Sequence, residues 1–291
     1  MPELARERPR QIASAFEDAC RDELVAPKPG NVHVFAKGHR LDVTDFERSA
    51  AAAAGPLTAS GQRVGARILG AVEATASAVK TNTNLGIILL CAPLAAAAET
   101  SSPDLRSAVS RSLRELDKAD AEFAFQAIVR ASPAGLGRSD RHDVFAPATA
   151  SLREAMAEAA DRDRIAQQYV TDFADVFELG EPLLVATLAR SVDRRLGTLV
   201  TYLGFLSAFP DSHIVRKHGP TVAHEIRDHA VSLAALAQRA RRLEDILKDV
   251  LAWDAALKKA NINPGTSADL TVATLFAYRL QNILPTARNG G

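Results

Sequence analysis

The run 85–98, LGIILLCAPLAAAA, constrains this chain more than any other feature. It carries no charge, and its apolar residues cover every face of a helix instead of one stripe. It is also too short to cross a bilayer, which takes about 20 apolar residues. A segment of this kind is a buried central helix, so the rest of the chain must supply amphipathic partners to cover it. Five polar residues, Lys80-Thr81-Asn82-Thr83-Asn84, stand directly before it and open a polar junction inside or beside the core.

The partners are present. Hydrophobic residues make up 47% of the chain, mostly Ala and Leu, and the 24% charged residues alternate with them, the pattern of stacked amphipathic helices. Nothing between residues 1 and 291 reads as a linker. The expectation is an all-α fold, a single large multi-helix domain around a central helix at about 84–98. Ile12, Phe16, Ala19, Cys20 and Leu24 recur at helical spacing, and Pro27-Lys28-Pro29-Gly30 ends the pattern. Thr44 and Glu47 have capping-box spacing at the start of a helix reaching about Gly55. Further helices are predicted over 61–78, 104–129, from Leu152 past Met156, and over 164–177, 182–209 and 243–257. Another opens at Pro220 and a last one follows the loop 261–269. Loop chemistry marks 132–137 and 210–219.

Lys plus Arg and Asp plus Glu both number 35, so no global field gathers nucleic acid or an anionic membrane. Any phosphate site must be local. Cys20 and Cys91 lack metal or redox spacing and read as buried thiols. The N-terminal stretch MPELARERPRQ has no apolar signal core, which predicts a cytoplasmic protein.

Four polar junctions stand at helix entrances, where free amides and the positive dipole end suit anions. The first holds Lys28, Gly30 and Asn31, with Asp42 further on. Lys28 offers a point charge for phosphate and Asp42 a metal ligand; the plainer alternative is a turn with solvated charges. The second offers Asn82 and Asn84, whose amides donate and accept, or simply cap. The third packs Asp211, His213, Arg216 and Lys217 together. It suits a polyphosphate with magnesium on Asp211, or else is a solvated turn. The fourth holds Asn263, Gly265, Ser267 and Asp269. Thr266 and Asp269 match a capping box, so a cap is the plain account of Asp269. The doublet His142-Asp143 is also found in metal-dependent phosphohydrolases, although here its loop is flanked by Gly and Pro.

In order, these junctions resemble the triphosphoribosyl-dephospho-CoA synthase family. Residues 23–50, ELVAPKPGNVHVFAKGHRLDVTDFERSA, look like that family's Lys-Pro-Gly, polar stretch, Asp and Phe-x-x-Ser-Ala opening. TNTNLGIILLCAPLAAA, from Thr81, is similar to its Asn-Thr-His-Lys-Gly and following Leu-Leu-Cys-Ala helix. PDSHIVRKHG, from Pro210, stands where the family has Asp-Thr-Asn and then Arg-Gly-Gly. INPGTSADLTVATLFAYRL, from Ile262, resembles its Ser-Pro-Gly-Gly-Ser-Ala-Asp-Leu element. Asn84-Leu85 replaces the family's His-Lys, and Asp211-Ser212-His213 replaces Asp-Thr-Asn. These forms look like the branch that accompanies tetrahydromethanopterin-linked one-carbon metabolism in methanogens and methylotrophs.

The resemblance implies an ATP-dependent transfer of the triphosphoribosyl unit to an acceptor hydroxyl, with adenine leaving and magnesium on the phosphates. The acceptor it implies is a cofactor precursor, in tetrahydromethanopterin or methylofuran biosynthesis. It implies catalytic roles for Asp211, Asp269 and His213, and nucleotide binding by Lys28, Gly30, Asn31, Asn82, Asn84, Arg216, Lys217 and Ser267. Asp42 and Asp211 would hold the metal. The partners are then small molecules, with no nucleic acid and no membrane, and a homodimer is compatible with this. The alternatives are a non-catalytic nucleotide-binding or assembly protein of the same fold, and a metal-dependent phosphohydrolase.

Overall fold

The computed structural model describes residues 2–36, 43–79, 83–100, 102, 104–131 and 141–283. Among them the chain forms fourteen α-helices and no β-strand. The first half contains α1 (Pro2–Leu24), α2 (Val43–Leu57), α3 (Val64–Ala78), α4 (Leu85–Ala98), α5 (Leu105–Arg114), α6 (Lys118–Ala131) and α7 (Leu152–Ala157). The second half contains α8 (Arg164–Val170), α9 (Glu181–Leu188), α10 (Arg194–Ala208), α11 (Ser212–His218), α12 (Pro220–Arg239), α13 (Leu247–Lys259) and α14 (Gly265–Ile283). A π-helical turn, Asp175–Gly180, leads into α9, and a 3-10 turn, Leu243–Asp245, precedes α13.

Helix α4 is the predicted central helix. Ile88, Leu90, Cys91, Ala92, Leu94 and Ala95 are all withdrawn from solvent, and α3, α5 and α14 pack around them. With no polar side to show to water, such a helix is stable only when surrounded on all sides. Pro93 lies inside it and has no N–H for the carbonyl of Leu89. The hydroxyl of buried Tyr169 donates to that carbonyl at 2.7 Å, so the break in the ladder is closed from α8.

Helix α14 is almost as buried. It packs on α1, where the Phe16 and Phe276 rings meet edge to face at 5.8 Å, and on α4 and α10. A second apolar layer joins Leu199, Leu203 and Leu206 of α10 to Ala230 and Leu233 of α12 and to Val250 and Trp253 of α13. Helices α10 and α14 contribute to both layers.

The buried loop 25–36 is locked between them. Gly30 has φ of 80°, a left-handed conformation that favours glycine, and a Cβ there would lie 2.8 Å from the carbonyl oxygen of Ile262. Its N–H donates to Asp254 at 2.9 Å, and the Tyr202 hydroxyl donates to the carbonyl of Pro29 at 2.7 Å.

Several boundaries differ from the sequence expectation. The predicted helix 104–129 is two helices, because Asp117 accepts from the amides of Ala119 and Asp120 and starts α6. The predicted helix 182–209 divides where Asp193 caps α10. The predicted helix 164–177 stops after α8, at Asp172 and Phe173, both with positive φ; Phe173 is turned fully inward. The segment 210–219 is not only loop, since it contains α11, and Pro220 opens α12 as expected. Thr44 with Glu47, and Thr266 with Asp269, lie inside α2 and α14 instead of capping them. Among the described residues no helix is long and apolar enough to cross a membrane.

Tyr169→Phe would leave the Leu89 carbonyl buried without a donor, at a cost of about 1–3 kcal/mol. Thermal unfolding of this variant should come about 5 °C below the wild type; an unchanged midpoint would refute the role given to the hydroxyl.

Candidate active site

The starts of α4, α8, α11 and α14 converge on a cavity of about 610 Å³, which the end of α1 and parts of α6 and α7 also line. Its polar lining includes Glu23, Asp163, His213, Arg216, Lys217 and Asp269, together with Asn31 and Asn263. Its lining also has apolar side chains, among them Phe46, Phe125, Ile128, Leu152 and Met156. Arg141, His142, Asp143 and Arg162 also line it. The cavity thus offers carboxylates, cations and apolar side chains to one ligand.

Asp269 is not a helix cap. It lies one turn inside α14, faces the cavity, and makes no hydrogen bond or ion pair among the described residues. Its placement depends on Gly86 at the start of α4, where a Cβ would come within 2.0 Å of the Asp269 Oδ2. Burial pushes the Asp269 carboxyl well above the usual carboxylate range, and the nearby Asp211, Glu23 and Asp163 push it further, against Arg216.

Asp211 takes a different place from the one expected of it. It is 0% exposed and does not line the cavity. One oxygen accepts from the amides of His213 at 2.9 Å and Ile214 at 3.2 Å, capping α11. The other accepts from the amide and hydroxyl of Ser267, both at 2.8 Å. A carboxylate whose two oxygens are committed in this way joins the starts of α11 and α14; it does not fit the catalytic or metal-binding role implied for it. Ser267 is occupied with the same bond and is likewise away from the cavity.

His213 lines the cavity, and its Nε2 is buried without a hydrogen bond. Burial, together with Lys217, Arg216 and His218, pushes the imidazole down to about 3, so it is neutral near pH 7. The catalytic role implied for His213 would then fall to a neutral ring that can donate or accept a hydrogen bond. Arg216 and Lys217 do line the cavity, and Arg216 reaches Asp163 at 3.5 Å.

The first two junctions come only partly into the site. Asn31 lines the cavity and donates to Asn263 at 2.8 Å. Lys28 is fully buried, 3.1 Å from Glu23, and Gly30 is locked in its loop, so neither is placed to hold a phosphate. Asn84 is turned inward and donates to Thr75 at 3.2 Å. Asp42 and Asn82 lie outside the described residues.

Two cavity carboxylates, Glu23 and Asp163, escaped the sequence reading. Asp163 caps α8 through the amides of Ile165 and Ala166, and its place before Arg164 is a capping signal. Glu23 stands just ahead of the Lys-Pro-Gly turn without a motif of its own. Among the described residues no three His, Cys, Asp or Glu side chains are grouped to hold a metal ion. His142 and Asp143 therefore have no third ligand among these residues, and the described chain does not form a protein-only magnesium cage.

Converging helix starts around a cavity lined by carboxylates, cations and apolar side chains form the candidate site of an all-helical enzyme. The chain matches the ATP:dephospho-CoA triphosphoribosyl transferase family over residues 9–287, belongs to that family, and is a transferase. A crystal structure of a protein described as a triphosphoribosyl-dephospho-CoA synthase, from Archaeoglobus fulgidus, is similar to it with a TM-score of 0.60 and 26% identity. The match covers 79% of this chain and 95% of that one. No curated protein matches the sequence.

The raised Asp269 carboxyl has a consequence for stability. Between the ordinary carboxylate range and its raised value, the folded protein holds a proton that the unfolded chain has lost, so stability falls as pH rises through this window. Asp269→Asn removes that loss. Its unfolding midpoint should exceed the wild type by about 3 °C at pH 8 and converge with it toward pH 4. A difference that stays constant over this pH series would contradict the burial of charge at Asp269.

Proposed function

We propose that ATP binds in this cavity and that its triphosphoribosyl unit passes to an acceptor hydroxyl, with adenine as leaving group. The observation that carries this is the Asp269 carboxylate, which faces the cavity with no hydrogen-bond or ion-pair partner among the described residues, in a lining that also holds Arg216 and Lys217. Arg216 and Lys217 hold the triphosphate, helped by the positive ends of α4 and α14. The adenine lies against Phe46 and Phe125. Magnesium arrives with the triphosphate, in keeping with its habit of binding through substrate phosphates.

In the transfer, the bond from ribose C1′ to adenine N9 breaks and its electron pair leaves with adenine. The acceptor oxygen bonds to C1′, its proton moves to Asp269, and the proton then passes to adenine. A carboxylate is a better base here than in water because burial has raised its proton affinity. Neutral His213 contributes a hydrogen bond to ribose or acceptor.

The acceptor in this reading is a cofactor precursor of tetrahydromethanopterin-linked or methylofuran-linked one-carbon metabolism, instead of dephospho-CoA itself. Two substitutions support it. Leu85 and His213 stand where the synthases to which the sequence is similar carry Lys and Asn, and both line the cavity.

Incubation with ATP, magnesium and candidate acceptors, followed by chromatography of adenine, ADP and phosphate, tests this. Adenine should appear in step with acceptor consumption. Asp269→Asn should lower the turnover about 100-fold or more, and Arg216→Ala should raise the KM for ATP about tenfold. Because the base must be ionised, the rate should fall on the acid side at a pH above the usual carboxylate range. Release of ADP or phosphate without adenine would sink the proposal.

A further inference from the structure

The cavity has another carboxylate, a buried one, whose surroundings differ from those of Asp269. Glu23, in the last turn of α1, lines the cavity and is 4% exposed. Its Oε1 lies 3.1 Å from the Nζ of Lys28, which is 0% exposed and also donates to the carbonyl of Val32 at 2.5 Å. The ammonium does not line the cavity, whereas the carboxylate it pairs with does.

Lys28 is held there by the locked loop. Gly30 is tied to Asp254, which is itself 3.2 Å from the Nε2 of His33 and 2.9 Å from the Nζ of Lys258. Hydrogen bonds from His33 and Lys258 keep Asp254 below the usual carboxylate range in spite of its burial. The loop therefore rests on its own buried ion cluster, and Lys28 is free to serve Glu23. A buried ion pair is a poor source of stability, since an apolar pair of equal volume often does as well or better. A pair retained at the wall of a reaction cavity is better explained by what it presents to the cavity.

We propose that Glu23 is a fixed anion facing the positive charge that develops at ribose C1′, and that Lys28 is its positioning residue, keeping the carboxylate ionised and aimed into the cavity. This rests on the reading that the cavity transfers the triphosphoribosyl unit. The two carboxylates then divide the work by environment: Asp269, without a partner among the described residues, takes the acceptor proton and passes it to adenine, while Glu23, paired with a cation, keeps its charge throughout. No bond to Glu23 forms or breaks.

The groups around both carboxylates give the proposal a signature. Burial raises the Glu23 carboxyl above its usual range, and Lys28 opposes that rise. Glu23 in turn is one of the acids, with Asp211 and Asp163, that raise Asp269 against Arg216. Neutralising Glu23 should therefore move the acid limb of the rate profile to lower pH. Removing Lys28 should do the same, because Glu23 then takes up a proton.

The test is adenine release by the full chain, with ATP, magnesium and the working acceptor, for Glu23→Gln, Lys28→Met and the double variant, with unfolding midpoints in parallel. Glu23→Gln should lose about 100-fold in kcat or more, with the KM for ATP changed less than about threefold. Lys28→Met should lose at least about tenfold and share the shifted acid limb. The double variant should match Glu23→Gln within about twofold, since Lys28 acts only through Glu23. If Lys28→Met fails to fold, the double variant, with neither charge left unpaired, still decides the matter. A double variant well below Glu23→Gln, or a Lys28→Met enzyme with an unmoved acid limb, would overturn the proposal while the transfer reading stands. A wild type that releases no adenine with any acceptor would overturn both.

Discussion

Burial of α4 on every side is the constraint from which the rest of the structure follows. A helix without a polar face must be enclosed, and its enclosure by α3, α5 and α14 brings its polar N-terminal end into the interior instead of to the surface. Other helix starts gather at the same place and have to be satisfied there. The cavity is where these ends meet. Much of its polarity comes from the side chains that α1, α8, α11 and α14 bring to it.

A small number of buried polar side chains make that meeting rigid. Asp211 joins α11 to α14, and the Ser212 hydroxyl accepts from the amide of Arg164 at 2.9 Å, bringing in α8. The Arg164 side chain is held in turn by two bonds to Asp175 and lies over the Phe209 ring at 4.0 Å. With its neighbours fixed in this way, Asp269 faces the cavity without a partner among the described residues. Unpaired acid on a rigid frame is the arrangement a proton-transfer step requires, and its cost in folding is carried by the surrounding packing.

The helical class, the central helix and the succession of polar junctions were legible in the sequence because hydrophobic period and Gly/Pro punctuation are local properties. Helix breaks at Asp117 and Asp193 were less so, since a single capping aspartate within an amphipathic pattern competes weakly with the period around it. At the junctions, residue type showed that polar chemistry gathers there but not which side chain faces inward. Asp211 and Asp269 looked alike on the page. One is the cap and the other faces the cavity, the reverse of what the capping-box spacing suggested.

What the sequence determined by itself is the all-helical class, the buried run 85–98 and the family to which the ordered motifs are similar. Only the tertiary structure decided the membership of the site. It paired Lys28 with Glu23 outside the cavity lining, took Asp211 and Ser267 into a helix junction, and brought in Glu23 and Asp163. The physical reason is that periodicity is set by neighbours three and four residues away, whereas the partner and exposure of a carboxylate are set by helices that arrive from the far end of the chain.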